Sequence, residues 1–146
     1  RSYKPEVREK LLAGIRRTAN ASAAMGGAPE PEVKLVPGGA AIMNDEAVVK
    51  RTAAALKAAL GDRNVVEVPA ITASEDFSEF LNAGVPGMMF FVGTVSPKDW
   101  EDSRKPGGKP IPFNHSPFFA PVPEPSIKTS VEAMSVAVLT TMSATK

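Results

Sequence analysis

The run Met88-Met-Phe-Phe-Val92 constrains this chain more than any other feature. It is wholly apolar and follows a turn signal, Gly84-Val-Pro-Gly87. It is too short for a helix, and a surface helix would need a polar face that the run lacks. The reading that fits is a strand buried on both faces, as strands of parallel sheets are.

The flanking pattern supports a layered fold. Val7, Leu11, Leu12, Ile15, Ala19 and Ala23 recur at helical spacing over residues 4–25. Pro5 suits the first turn of that helix, and Gly26-Gly27 stops it. A short strand is expected near Val33–Val36, ended by Pro37-Gly38-Gly39. Asn44 reads as an N-cap, with Asp45 and Glu46 in the first turn. Val48, Val49, Thr52, Leu56, Ala59 and Leu60 form the buried stripe of this second helix, and Gly61 ends it. Val65–Val68 reads as a strand. Thr72-Ala-Ser-Glu75 matches a capping box and opens a short helix bearing Phe77, Phe80 and Leu81. Residues 94–123 contain seven prolines and show no regular element, and loops of that length are usually functional or disordered. A last helix is expected from about Pro125 to Met142, with Val131, Met134, Val138, Leu139 and Met142 inward.

The order after Gly39 is then α-β-α-β-long loop-α, which predicts an α/β sheet covered by helices. One helix and one strand before Gly39 cannot close a core of their own. The part before Gly39 is therefore expected to have been cut from something larger, with Pro37-Gly38-Gly39 as the candidate domain boundary.

Charge excludes some classes of partner. There are 17 basic and 16 acidic residues, well mixed, for a net charge of +1. That is no footprint for nucleic acid or an anionic membrane. No apolar run approaches the roughly 18 residues of a membrane span. With no cysteine, a disulfide framework is excluded.

His115 is the only histidine, in Pro112-Phe-Asn-His-Ser-Pro-Phe-Phe119. A lone histidine is commonly structural. This one lies in the irregular loop before the last helix, where Pro112 and Pro117 would stiffen the backbone and hold the ring in one direction. A catalytic zinc takes about three protein ligands. The chain offers one imidazole and no thiolate, so carboxylates are the other candidates. Glu75 and Asp76, at the start of a helix, are the most suggestive, although first-turn acids also complement a helix dipole. There is no Gly-x-Ser-x-Gly elbow, no cysteine nucleophile and no phosphate-binding or dinucleotide glycine motif.

Four pieces occur together in order: Ser74-Glu-Asp-Phe77, Val85-Pro-Gly87, Phe90-Phe-Val-Gly93 and Asn114-His-Ser-Pro-x-Phe119. In order and spacing they resemble the amidohydrolase branch of the M20 metallopeptidases, which includes hippurate hydrolases, N-acyl-amino-acid deacylases and auxin-conjugate hydrolases. Arg1-Ser-Tyr-x-Pro-Glu-Val-Arg8 is similar to the start of a helix in that family's lid domain, and Asn44-Asp45 to the return into the catalytic domain.

The resemblance implies an α/β catalytic domain interrupted by an α+β lid that mediates dimerisation. Residues 1–39 would be the last helix and strand of the lid, and residues 40–146 the C-terminal half of the catalytic domain. It further implies two divalent metals (zinc, manganese or cobalt) per full-length subunit, a homodimer through the lid, and an N-acyl amino acid or small peptide as substrate. His115 would be a metal ligand. Glu75, Asp76, Asn114 and Ser116 would support the site or the substrate. The general base and most ligands would lie upstream, so this chain alone is expected to be inactive. The competing reading is a non-catalytic α/β binding or dimerisation module in which His115 and Glu75 do no chemistry.

Overall fold

The computed structural model describes residues 2–36, 38–72 and 75–143. Among them the chain is helical: α1 (Pro5–Met25), α2 (Glu46–Leu60), a 3-10 turn (Asp62–Asn64), α3 (Ser78–Asn82), α4 (Pro97–Ser103) and α5 (Pro123–Ser143). No strand or sheet occurs among the described residues. This overturns the expected α/β class, and with it the picture of residues 40–146 as half of a layered α/β domain and of a strand closing a lid. The physical reason lies in what a strand requires. Extended, apolar backbone becomes a strand only when a second segment runs beside it and exchanges amide hydrogen bonds.

Among the described residues the three segments expected as strands lack that neighbour. Residues 31–35 alternate between half-buried and exposed, the period of a strand, but Val36 is 80% exposed. Val66 and Val68 are exposed. In the apolar run Phe91 is 63% exposed, so it is not buried on both faces.

What holds the start of that run is a side chain. Asn44 Nδ2 donates to the Met89 carbonyl at 3.0 Å, and Asn44 Oδ1 accepts from the Met89 amide at 2.9 Å. A primary amide has the same donor and acceptor as a peptide unit, so it satisfies Met89 as an adjacent strand would. The Asp45 amide adds a bond to the Gly87 carbonyl at 2.9 Å. Asn44, expected as the cap of α2, thus points its amide at residue 89, and α2 begins two residues later.

By compactness the chain divides into two units, Arg1–Glu46 with Glu67–Met89, and Ala47–Val66 with Phe90–Lys146. The units interleave along the chain.

In the first unit, α1 starts with Pro5 and ends as expected at the glycine pair. Gly27 takes φ +65°, and the amides of Ala28 and Gly27 reach back to the carbonyls of Ala23 (2.9 Å) and Ala24 (3.2 Å). This is the Schellman pattern, which uses a residue in the left-handed region to satisfy the last carbonyls. The Arg8 guanidinium binds the carbonyls of Gly38 and Gly39. No residue of α1 is buried, and its stripe of Val7, Leu11 and Ile15 is open. Pro37 of the expected break lies outside the described residues, as do Arg1, and Ala73 and Ser74 of the expected capping box. The helix itself starts at Ser78, with no side-chain cap. Ser78 is fully buried and donates to the Glu75 carbonyl at 3.1 Å. Gly87 passes close to α3, where a Cβ would meet Leu81 Cδ2 at 3.1 Å.

In the second unit, α2 buries Val48, Thr52 and Leu56, one residue per turn, as its periodicity predicts. Ala133 is the only buried residue of α5, which otherwise exposes Ile127, Val131, Met134, Val138, Leu139 and Met142.

Helix α4 falls where the proline count predicted a structureless loop. Its start is reciprocal: Ser96 Oγ accepts from the Asp99 amide at 3.1 Å and donates to Asp99 Oδ2 at 2.6 Å. Pro97 occupies the first turn, where a missing N–H costs nothing. One turn on, Asp102 pairs with Lys98 and Lys105 at 2.5 Å each. The Arg104 guanidinium carbon lies 5.6 Å from the centre of the Trp100 ring.

Candidate functional site

His115 sits at the crest of a tight turn. The Ser116 amide donates to the Phe113 carbonyl at 2.8 Å, closing residues 113–116. A second turn follows directly, with the Phe119 amide on the Ser116 carbonyl at 3.1 Å and the Phe118 amide on Ser116 Oγ at 3.2 Å. Ser116 is therefore occupied in shaping its own loop. Pro112 precedes the pair of turns, Pro117 lies within the second, and both restrict the backbone further. The His115 ring stacks on Phe113, centroids 6.5 Å apart and planes inclined by 24°. It is exposed, and its nitrogens have no hydrogen bond or ion pair among the described residues. Asn114 is also exposed. The loop thus presents a ring that is oriented on one face and open on the other.

Glu75 and Asp76 belong to the first unit, His115 to the second. Both carboxylic residues are exposed and take part in starting α3. Glu75 Oε1 accepts from the Asp76 amide at 2.9 Å, and the Asp76 carbonyl accepts from the Glu79 amide at 2.9 Å. Among the described residues no three of His, Asp and Glu converge into a group that could hold a metal ion. The donor set therefore does not amount to a metal centre by itself. One exposed imidazole can supply a single bond to a cation, where about three are needed.

The sequence reading missed two concave features, both in the second unit. One, of about 870 Å³, lies over residues 61–64 with Pro97 and Glu101, and Asp62, Arg63 and Glu101 bring both signs of charge to it. The other, about 440 Å³, lies between α4 and the segment that leads into and out of the His115 turn. Its walls include Ile111, Pro112, Phe118 and Phe119, with Asp99, Asp102 and Lys109 at its polar side. The signal that could have found it was Ser96-Pro97-x-Asp99, a capping box with proline in the first turn, which marks α4 inside the proline-rich stretch.

The model of peptidase family M20/M25/M40 matches residues 7–109, well over half of the chain. The matched stretch includes Glu75 and Asp76 and ends before His115. No solved structure matches the chain.

Proposed function

The chain belongs to peptidase family M20/M25/M40, and from that premise we propose that it is part of an amidohydrolase of the hippurate-hydrolase and N-acyl-amino-acid deacylase branch. The family match over residues 7–109 carries the reading at the level of a hydrolase of peptide-like bonds. The branch rests on the ordered pieces Glu75-Asp-Phe77, Val85-Pro-Gly87, Phe90-Phe-Val-Gly93 and Asn114-His-Ser-Pro117. Family members generally depend on divalent metals. When bound, such an ion lowers the pKa of water so that it attacks an amide carbonyl at neutral pH.

What this chain contributes to that chemistry is His115. Two hydrogen-bonded turns and two prolines hold the loop, and Phe113 supports one face of the ring. A ring so placed can act as one donor in a site completed by other groups. The substrate is an N-acyl amino acid or a small peptide. Activity belongs to the complete enzyme, and the 146-residue chain alone is inactive. The open stripe of α1 (Val7, Leu11, Ile15) supports a homodimer, because a contiguous exposed apolar face favours association.

The test is His115→Ala in the complete parent enzyme, assayed on N-acetyl and N-benzoyl amino acids with metal content measured alongside. Loss of one of about three ligands should lower both metal occupancy and turnover by at least about tenfold. Unchanged metal content with full turnover refutes the assignment.

A further inference from the structure

The segment that presents His115 is tied at both ends to one short helix. On the arm leading into the turn, Gly108 runs under the end of α4. A Cβ there would lie 2.8 Å from the Ser103 carbonyl oxygen and would overlap that of Asp102. No other glycine among the described residues has main chain within 3.0 Å of its ideal Cβ. The Gly108 amide also donates to the Lys105 carbonyl at 2.8 Å. On the arm leading out, the Val122 amide donates to the Thr94 carbonyl at 2.9 Å, just before the Ser96 cap of α4.

Residues 108–122 are thus a loop whose two feet stand at the two ends of α4. The helix between the feet is held by its own side chains, through the Ser96–Asp99 cap and the pairing of Asp102 with Lys98 and Lys105. The bonds within residues 113–119 shape the turn itself. They do not decide where the turn stands, which is left to the feet. A metal donor has to be held to within about half an ångström, so the feet matter to the chemistry as well as to the fold.

We propose that Gly108 is a positioning residue for His115. With only hydrogens on its Cα, the incoming arm rests on the carbonyls of Asp102 and Ser103, and α4 together with the Val122–Thr94 bond sets where the imidazole is delivered. The inference rests on the reading of His115 as a metal donor. Gly107 separates the two reasons for a glycine. It takes φ +77°, and a Cβ on it would meet nothing. Position 107 needs the left-handed conformation, which asparagine tolerates, whereas position 108 needs the space.

The chain has one histidine and no cysteine. Its imidazole protons are therefore unique in an NMR spectrum, and one introduced thiol carries one label. Glu101 is an exposed residue of α4. A nitroxide on Glu101→Cys reads the distance from α4 to the His115 ring by paramagnetic broadening in the metal-free 146-residue chain. Adding Gly108→Ala should change that broadening. So should Val122→Pro, which removes the N–H that binds Thr94, and Gly107→Asn should leave it as it was. In the complete parent enzyme Gly108→Ala should weaken metal binding about 10–100-fold, the usual cost of losing a group that orients a ligand. Turnover should recover in excess metal, and Gly107→Asn should bind metal normally. Broadening unchanged in Gly108→Ala and Val122→Pro, or changed equally in Gly107→Asn, overturns the proposal. If Gly108→Ala loses the helical circular dichroism of the whole chain, Val122→Pro decides by the same readout. A parent that loses metal with His115→Ala but not with Gly108→Ala overturns this inference alone. A parent that keeps its metal in His115→Ala, while the broadening responds as expected, overturns the metal-donor reading alone.

Discussion

Replacing Asn44 by alanine tests whether a side-chain amide can stand in for a neighbouring strand. The substitution removes both bonds to Met89, at 3.0 and 2.9 Å, and leaves the Asp45–Gly87 bond in place. A typical hydrogen bond contributes about 0.5–1.5 kcal/mol net, and an exposed one falls toward the low end because water replaces the lost partner. Asn44 is exposed, so the pair is worth about 1–2 kcal/mol, a factor of roughly 5–30 in a local opening equilibrium. Amide hydrogen exchange reads this directly: protection of the Met89 amide should fall by that factor in Asn44→Ala, with α5 unaffected. Asn44→Asp retains the acceptor for the Met89 amide but sets a carboxylate oxygen against the Met89 carbonyl, so it should also lose protection. Met89 exchange that is unchanged in both variants would refute the reasoning and leave residues 87–89 held by their own backbone.

Asp102 titrates below the usual carboxylate range because Lys105, and then Lys98, hydrogen-bond its charged form. Its contribution to the order of α4 is therefore complete above the ordinary carboxylate pKa and fades as pH falls through the lowered value. Carbonyl NMR should show the midpoint rising toward normal in Lys105→Gln and Lys98→Gln, and no rise would contradict the pairing. Thr52 is fully buried with Oγ1 unpartnered among the described residues, so Thr52→Val should stabilise the chain by about 1 kcal/mol in urea denaturation. A loss of stability there would mean that the hydroxyl is satisfied. His115→Ala should shift the stability of this chain by no more than about 0.5 kcal/mol, because the ring is exposed and, among the described residues, touches Phe113 without any hydrogen bond or ion pair. A larger loss would make His115 a structural residue.

Sequence alone determined the parts whose causes are local. Helices α1, α2 and α5 follow from apolar spacing within a single segment, and the end of α1 from one glycine able to take a positive φ. The start of α4 was equally local in Ser96-Pro97-x-Asp99, and was hidden only by the weight given to seven prolines. The place of His115 on a stiffened turn was legible for the same reason, since its closing bonds span three residues.

Tertiary structure decided everything that needs a distant partner. An apolar run records a tendency to be buried, but not which segment lies beside it. So Met88–Val92 read as a strand, while in the fold the amide and carbonyl of Met89 meet an asparagine from 45 residues earlier. A metal centre asks still more, because several donors must converge to within a few tenths of an ångström. Local pattern could nominate His115, Glu75 and Asp76, but whether donors meet around one cation depends on long-range packing, which no spacing along the chain encodes.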